Sequence, residues 1–348
     1  MVRYLLKLDS KRNDYLLFAG VWRQREKIDQ FLQTLKKDKL NFSQKIVWLP
    51  PRLANLVIND FRIPIEKFIG EVDVFHASNW TTPKTKAKLV TTVHDLTPIL
   101  FPASFPKLVI KNFKKNLQLI EKTASMISVD SQATKGDLLK NTRISSEKVK
   151  VVYLAAEKHF RPLRNRKILD KVKAKYKISG DYILSVGTQE PRKNIKRLIE
   201  AFLALDSQFS TQLVLVGKYG WGEESRFLDN NSVICPGFVD DQDLPILYSG
   251  ATVFVYPSLY EGFGLPILEA MQCNCPVITS NCSSMAEIAG QAALLIDPTN
   301  KQSLTLAIKK VLKDKTLRQD LRNKGRKQAE KFSWEKTAKD TLALYQKL

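Results

Sequence analysis

The sequence predicts an α/β protein made of two doubly wound, mostly parallel sheets. Three observations carry that prediction. Short apolar runs of strand type alternate with longer segments of helical period, the pattern of βαβ units. The alternation stops at a polar, basic stretch near the middle and then restarts. A length of 348 residues suits two domains of ordinary size, each able to bury its own core.

In the first half the predicted strands are Tyr15 to Phe18, Lys45 to Leu49, Val72 to His76, Lys88 to His94, Ser125 to Val129 and Val149 to Leu154. Apolar residues at helical spacing mark helices between them, as at Arg25–Lys37 and Phe105–Thr123. From Glu157 to Lys173 the chain is polar and basic around Pro162, so the linker is placed there, between domains at 1–160 and 161–331. The second half predicts strands at Tyr182 to Gly187, Gln212 to Gly217, Val233 to Cys235, Thr252 to Tyr256, Val277 to Ser280 and Ala293 to Ile296. The segment Asn194–Leu205 is a helix between two of them.

No apolar run approaches the roughly 18 residues that span a bilayer, and the N-terminus has no signal-peptide pattern. A cytoplasmic protein is expected. Cys235, Cys273, Cys275 and Cys282 have no histidine near the Cys-x-Cys, which favours reduced thiols over zinc. The formal charge of +21 fits nucleic acid, an anionic membrane face or a phosphate-bearing substrate. No zinc-finger spacing, aromatic RNP pattern or basic zipper is present, so specific nucleic-acid binding is not expected. Phe105 to Lys115 mixes apolar and basic residues at near-helical spacing, suited either to anionic lipid or to packing on its own domain.

The chemistry concentrates around Glu261-Gly262-Phe263-Gly264-Leu265-Pro266-Ile267-Leu268-Glu269, after the apolar run Val253 to Pro257. It reads as a strand, a glycine loop and a helix with a proline at its start. Glycines let backbone N–H groups approach a ligand, and a helix N-terminus favours anions. Two carboxylates flank that cradle. Beside a phosphate they must serve hydroxyls, because they would repel the phosphate itself. The combination suits a nucleotide sugar. Arg192 and Lys193 follow a strand and a proline-closed loop, and a guanidinium with an ammonium can take the place of a metal on a diphosphate. Asp241-Gln242-Asp243 imitates a metal-binding Asp-x-Asp but precedes a helical segment, so it reads as an N-cap with an acidic first turn.

These residues resemble the retaining family-four, group 1 glycosyltransferases of the GT-B fold. The likeness includes Gly187-Thr188-Gln189-Glu190-Pro191-Arg192-Lys193-Asn194 upstream and Pro276-Val277-Ile278-Thr279-Ser280 downstream. It is close and collinear from about Asp181 to Asp297 and looser back to about Tyr4. The resemblance implies two Rossmann-like domains facing a cleft, the first for the acceptor and the second for the nucleotide sugar. The C-terminal segment 332–348, beginning Phe332-Ser333-Trp334, would cross back to the first domain. Arg192 and Lys193 would bind the diphosphate, Glu269 the ribose, and Glu261 the transferred sugar. The amides of Phe263, Gly264 and Leu265 would face the sugar and distal phosphate. Gly217, Lys218 and Gly220 would border the cleft. Phe238 and Val239 would frame the base, with buried packing as the alternative. His94, in Thr92-Val93-His94-Asp95, would point at the sugar, with Asp95 as a loop cap; His76 and His159 read as structural. No metal or other cofactor is implied. The donor would be GDP-mannose or a UDP-sugar, with mannose favoured, and the acceptor a glycan or a lipid-linked glycan.

One departure stands out. Met1 to Asp9 resembles the end of the family's first helix, and the family's first strand and glycine loop have no counterpart, so a missing N-terminal start is expected. Two other readings fit the sequence: a catalytically impaired remnant that binds nucleotide or a partner, and a basic scaffold that binds nucleic acid or membrane.

Overall fold

The structure, a computed structural model, describes residues 1–21, 25–48, 50, 61, 63–78, 81–163, 165–206, 209–218 and 232–348. The chain divides into two compact units. One comprises Met1–Tyr153 and Trp334–Leu348, the other Leu154–Ser333. The division falls at Tyr153/Leu154 and not at 160/161, just after strand β6 (Val149–Val151). The expected linker is partly helical. Arg166–Lys175 forms a helix capped by Asn165 Oδ1, which accepts from Ile168 N at 3.3 Å, with Val172 buried beneath.

The first unit holds β1 (Leu16–Val21), β2 (Ser43–Trp48), β3 (Val74–Ser78), β4 (Lys88–Val93), β5 (Met126–Val129) and β6. All pairings are parallel. Among the described residues, however, β1–β2 and β3-β4-β5-β6 are two separate sheets, where a single doubly wound sheet was expected. The helix Lys107–Thr123 buries Phe113, Leu117 and Ile120, spaced three and four apart, beside Val93, Ile127 and Val129. The helix Val2–Asp9 packs on the helix Trp334–Tyr345. That last helix is tied to the same unit twice. Thr337 Oγ1 donates to Tyr153 O at 2.6 Å, and the Tyr345 hydroxyl lies 2.6 Å from His76 Nδ1. Burial, with a smaller contribution from His94, pushes His76 down to about 4, so it is neutral, and its Nε2 meets Thr92 Oγ1 at 2.7 Å.

The second unit is one parallel sheet of β7 (Asp181–Val186), β8 (Thr211–Val216), β9 (Val233–Gly237), β10 (Val253–Tyr256), β11 (Val277–Ser280) and β12 (Leu294–Ile296). Its order is β12-β11-β10-β7-β8-β9. Such strands are covered on both faces and read as continuous apolar runs. All four residues of β10 and of β11 are buried. The helix Ile195–Leu203 shows the complementary pattern, burying Ile195, Leu198, Ile199 and Phe202 against β7 and β8.

This order places the site. From β7 the chain winds outward through β8 and β9, then returns to the other side of β7 for β10, β11 and β12. The direction reverses between β7 and β10, and in open parallel sheets ligands bind at the carboxyl ends of strands beside such a reversal.

Candidate active site

The two loops at that reversal carry the expected residues. After β7 comes Gly187, then a short 3-10 turn Pro191–Lys193, then Asn194 with φ 60 and ψ 30, which starts the helix Ile195–Leu203. Asparagine tolerates this left-handed geometry, and its side chain fixes the loop. Asn194 Nδ2 donates to Pro257 O at 3.0 Å and to Pro298 O at 2.7 Å, joining the loops after β7, β10 and β12. Leu259 N donates to Arg192 O at 2.8 Å, a second tie between the β7 and β10 loops.

After β10 the loop reaches Glu261, Phe263 and Gly264, with Gly264 at φ 96, before the helix Leu265–Gln272. Pro266 lies in the first turn of that helix, so its missing N–H costs no intrahelical bond. Phe263 is buried, edge-on to Phe332 at 6.0 Å. The backbone of Glu261 is pinned by the next helix, since Ser283 Oγ and Ser284 Oγ donate to its carbonyl at 2.6 and 2.8 Å.

Here the two loops exchange charge. Arg192 Nη1 lies 2.9 Å from Glu261 Oε2 and donates to Tyr260 O at 2.5 Å, while Nη2 pairs with Glu190. Lys193 Nζ lies 2.7 Å from Glu261 Oε1 and 2.8 Å from the Tyr256 hydroxyl, which itself donates to Glu261 Oε1 at 2.8 Å. Arg192 and Lys193 expose only 12% and 14% of their side chains, far less than surface cations would. Burial alone would push the Glu261 carboxyl up, but Lys193 and Arg192 outweigh it and hold it below the ordinary carboxylate value. Burial and the adjacent Glu261 push the Tyr256 phenol well up. Two buried donors, Gln189 Nε2 and Arg192 Nε, have no acceptor among the described residues. Orphan donors at a strand-end loop are what a ligand's oxygens would satisfy.

Glu269 lies one helical turn further along. Its Oε2 accepts from the fully buried Tyr248 hydroxyl at 3.0 Å, and burial pushes its carboxyl up to about 7 against that hydrogen bond.

The remaining expected residues occupy the neighbouring loops and the first unit. Gly217, at φ 142, lies so close to the β7 loop that a Cβ there would stand 2.0 Å from Gly187 O. Lys218 is exposed, and its carbonyl accepts from Gln189 N at 3.0 Å. Gly220 lies outside the described residues. Phe238 is 67% exposed at the end of β9, whereas Val239 is buried and packs inward. His94, in the first unit, has Nδ1 2.7 Å from Asp130 Oδ2, a contact that pushes the imidazole up. Asp95 Oδ1 accepts from Thr97 N at 2.8 Å, a loop cap.

The Asp241-Gln242-Asp243 expectation is corrected in two respects, the first being that the helix after it has no acidic residue in its first turn. Asp243 stands at the N-cap of the helix Leu244–Gly250 without a side-chain cap bond. Its Oδ2 instead takes Lys175 Nζ at 2.6 Å and the Tyr176 hydroxyl at 2.8 Å, because a lysine from a neighbouring helix offers a stronger, charged partner. Among the described residues no group of three or more His, Cys, Asp or Glu is placed to hold a metal ion. The four cysteines are free thiols.

Sequence reasoning missed Glu190, Tyr248, Tyr256 and Asp130. Glu190, Tyr256 and Asp130 sit at a strand end or close to a singled-out residue, which is a usable signal, whereas Tyr248 lies inside the helix Leu244–Gly250, and only packing reveals which way each side chain turns.

Two Rossmann-like units, the second with cationic and carboxylate groups at its strand reversal, define a glycosyltransferase of the GT-B fold. A family model for "Glycosyl transferases group 1" matches residues 169–328. The "O-antigen chain mannosyltransferase B" of Escherichia coli is 33% identical over 284 residues, 79% of this chain and 74% of that protein. The "Serotype-specific mannosyltransferase WbdA" of Escherichia coli is 31% identical over 265 residues, 72% of this chain but only 32% of that longer protein. In structure, Anabaena HepE in complex with UDP and glucose matches with a TM-score of 0.74 at 19% identity, covering 100% of this chain and 95% of that one. The chain belongs to the group 1 glycosyl transferases.

Proposed function

We propose that this enzyme transfers a hexosyl residue, mannose in preference, from a nucleoside diphosphate sugar to a glycan or lipid-linked acceptor, with retention at the anomeric carbon. The observation that carries the reading is the convergence of Arg192, Lys193 and Glu261 at the reversal of the second sheet. The preference for mannose rests on the names of two relatives, both mannosyltransferases; GDP-mannose is the first donor to try and UDP-sugars the second. The identity to a relative along most of its length disfavours a catalytically impaired remnant.

Arg192 and Lys193 neutralise the diphosphate leaving group, so transfer needs no resident divalent ion. Glu269 accepts from the ribose hydroxyls, Glu261 from the transferred sugar, and the amides of Phe263, Gly264 and Leu265 face the sugar and distal phosphate at a helix N-terminus. Gly217 and Lys218 border the donor, and the exposed Phe238 ring stacks on the base with Val239 behind it. His94, oriented by Asp130, serves the sugar or the acceptor hydroxyl.

A thermal-shift panel of GDP, UDP, ADP and CDP tests the donor base, because a bound ligand raises the melting temperature by mass action. Transfer from GDP-mannose, followed by NMR of the product's anomeric proton, tests sugar and stereochemistry; an inverted product ends the retaining assignment. Transfer undiminished by a chelator is the expected sign of metal independence.

Among the described residues no helix is long and apolar enough to cross a membrane. The helix Lys107–Thr123 exposes Leu108 together with Lys107, Lys111 and Lys114, and we assign to this face peripheral contact with the anionic inner membrane surface, where lipid-linked acceptors lie. Co-sedimentation with phosphatidylglycerol vesicles but not with phosphatidylcholine vesicles is the expected result.

A further inference from the structure

Given a diphosphate on Arg192 and Lys193, the proposed placement on which this inference rests, the charge balance of the cluster is the problem. Arg192 and Lys193 are already neutralised by Glu190 and Glu261, and all four side chains are nearly buried, exposing 10% to 14%. A diphosphate set beside the intact cluster would meet one carboxylate for every cation and gain little net attraction. The N-terminus of the helix Leu265–Gln272 supplies only roughly half an elementary charge, too little to compensate. One carboxylate must leave the cations.

Glu190 shares its short turn with Arg192, only two positions away. Glu261 is different. Its carboxylate bridges both cations, Oε2 on Arg192 and Oε1 on Lys193, as two oxygens of one phosphate would. Its main chain is anchored by Ser283 and Ser284, so the side chain can turn without moving the loop. A hydroxyl that holds it there is that of Tyr256, which donates to Oε1 and accepts from Lys193.

We propose that the Glu261 carboxylate is an internal counter-anion, occupying on Arg192 and Lys193 the place of a donor phosphate, and that Tyr256 is the positioning residue that holds it there. Donor binding is then an exchange of anions: the diphosphate takes the two cations, and Glu261 rotates off them with its oxygens free for the sugar hydroxyls. Because the exchange is reciprocal, weakening the hold of Glu261 strengthens the binding of a bare nucleoside diphosphate.

Calorimetric titration of the full chain with GDP and with UDP tests this. Glu261→Gln keeps the shape and removes the charge, and should bind the better of the two on the order of tenfold more tightly than wild type. Tyr256→Phe should shift affinity in the same direction by a smaller factor. Lys193→Gln should bind more weakly. If Glu261→Gln binds equally or less well while Lys193→Gln loses affinity, the exchange is refuted and the diphosphate placement stands. If Lys193→Gln binds like wild type, the placement falls and the exchange with it. A Tyr256→Phe variant that melts lower but binds GDP unchanged overturns the positioning role. Should Glu261→Gln be too unstable for calorimetry, its melting temperature must rise more on adding GDP than that of wild type, and a smaller rise overturns the proposal. For a poorly folding Lys193→Gln, the charge-balanced double variant with Glu261→Gln takes its place. That double variant should bind less tightly than Glu261→Gln alone.

Discussion

Glu269 and Arg192 carry the most direct consequences of single side chains. A carboxyl whose value rises on folding stabilises the fold when protonated. For Glu269 that contribution is complete below its ordinary 4.5 and is lost as pH rises through about 7. The shift corresponds to roughly 3 kcal/mol. Ribose hydroxyls donate to the ionised form, so nucleotide affinity should rise over the same interval. Calorimetry with GDP at pH 6 and pH 8 should show tighter binding at the higher pH, and Glu269→Gln should flatten that difference. Removing Arg192 takes a cation from two carboxylates and leaves one of them with none. Glu261 keeps Lys193, whereas Glu190 loses its cation, so Arg192→Ala should destabilise the protein by about 3 kcal/mol, the lower end for a broken buried pair. Urea denaturation measures it.

The loops after β7, β8 and β10 work as joined pieces, and their joints can be broken one at a time. Asn194 does two things there: it tolerates a left-handed backbone and it ties three loops through Nδ2. Asn194→Gly keeps the first and loses the second, and should cost about 2 kcal/mol for two buried hydrogen bonds. Asn194→Ala adds backbone strain of about 1 kcal/mol. The difference between the two variants' unfolding free energies separates the roles. Gly217 is a tighter joint. A Cβ at 2.0 Å from a carbonyl oxygen cannot be absorbed by a flexible side chain, and φ 142 disfavours any other residue. Gly217→Ala should cost more than about 2 kcal/mol and displace the Arg192–Lys193 turn, lowering GDP affinity as well as the melting temperature.

For the chain taken whole, the C-terminal helix counts with the N-terminal unit. It packs on Val2–Asp9, and Tyr345 reaches His76 on β3. Deleting residues 334–348 should therefore lower amide protection in β3, β4 and β5 while leaving β7, β10 and β11 protected. Hydrogen exchange read by mass spectrometry distinguishes this from a general loss, because contiguous cooperative units open separately.

Much of the fold was legible because hydrophobic period is a local property. Each of the twelve predicted strands overlaps an observed one, and Arg25–Lys37 and Val277–Ser280 agree to the residue. The linker was misread since a helix rich in lysine and arginine looks like a polar spacer until Val172 is seen buried. The side chain of Asp243 was misassigned because Lys175 is 68 residues away.

What the sequence determined by itself was the kind and order of the elements, together with the residues that stand at the strand ends. Tertiary structure alone decided that β7 lies beside β10, and so that Lys193 meets a carboxylate 68 positions later. The physical reason is range. Periodicity and turn chemistry act over a few residues, whereas the pairing of buried charges depends on which strands share an edge.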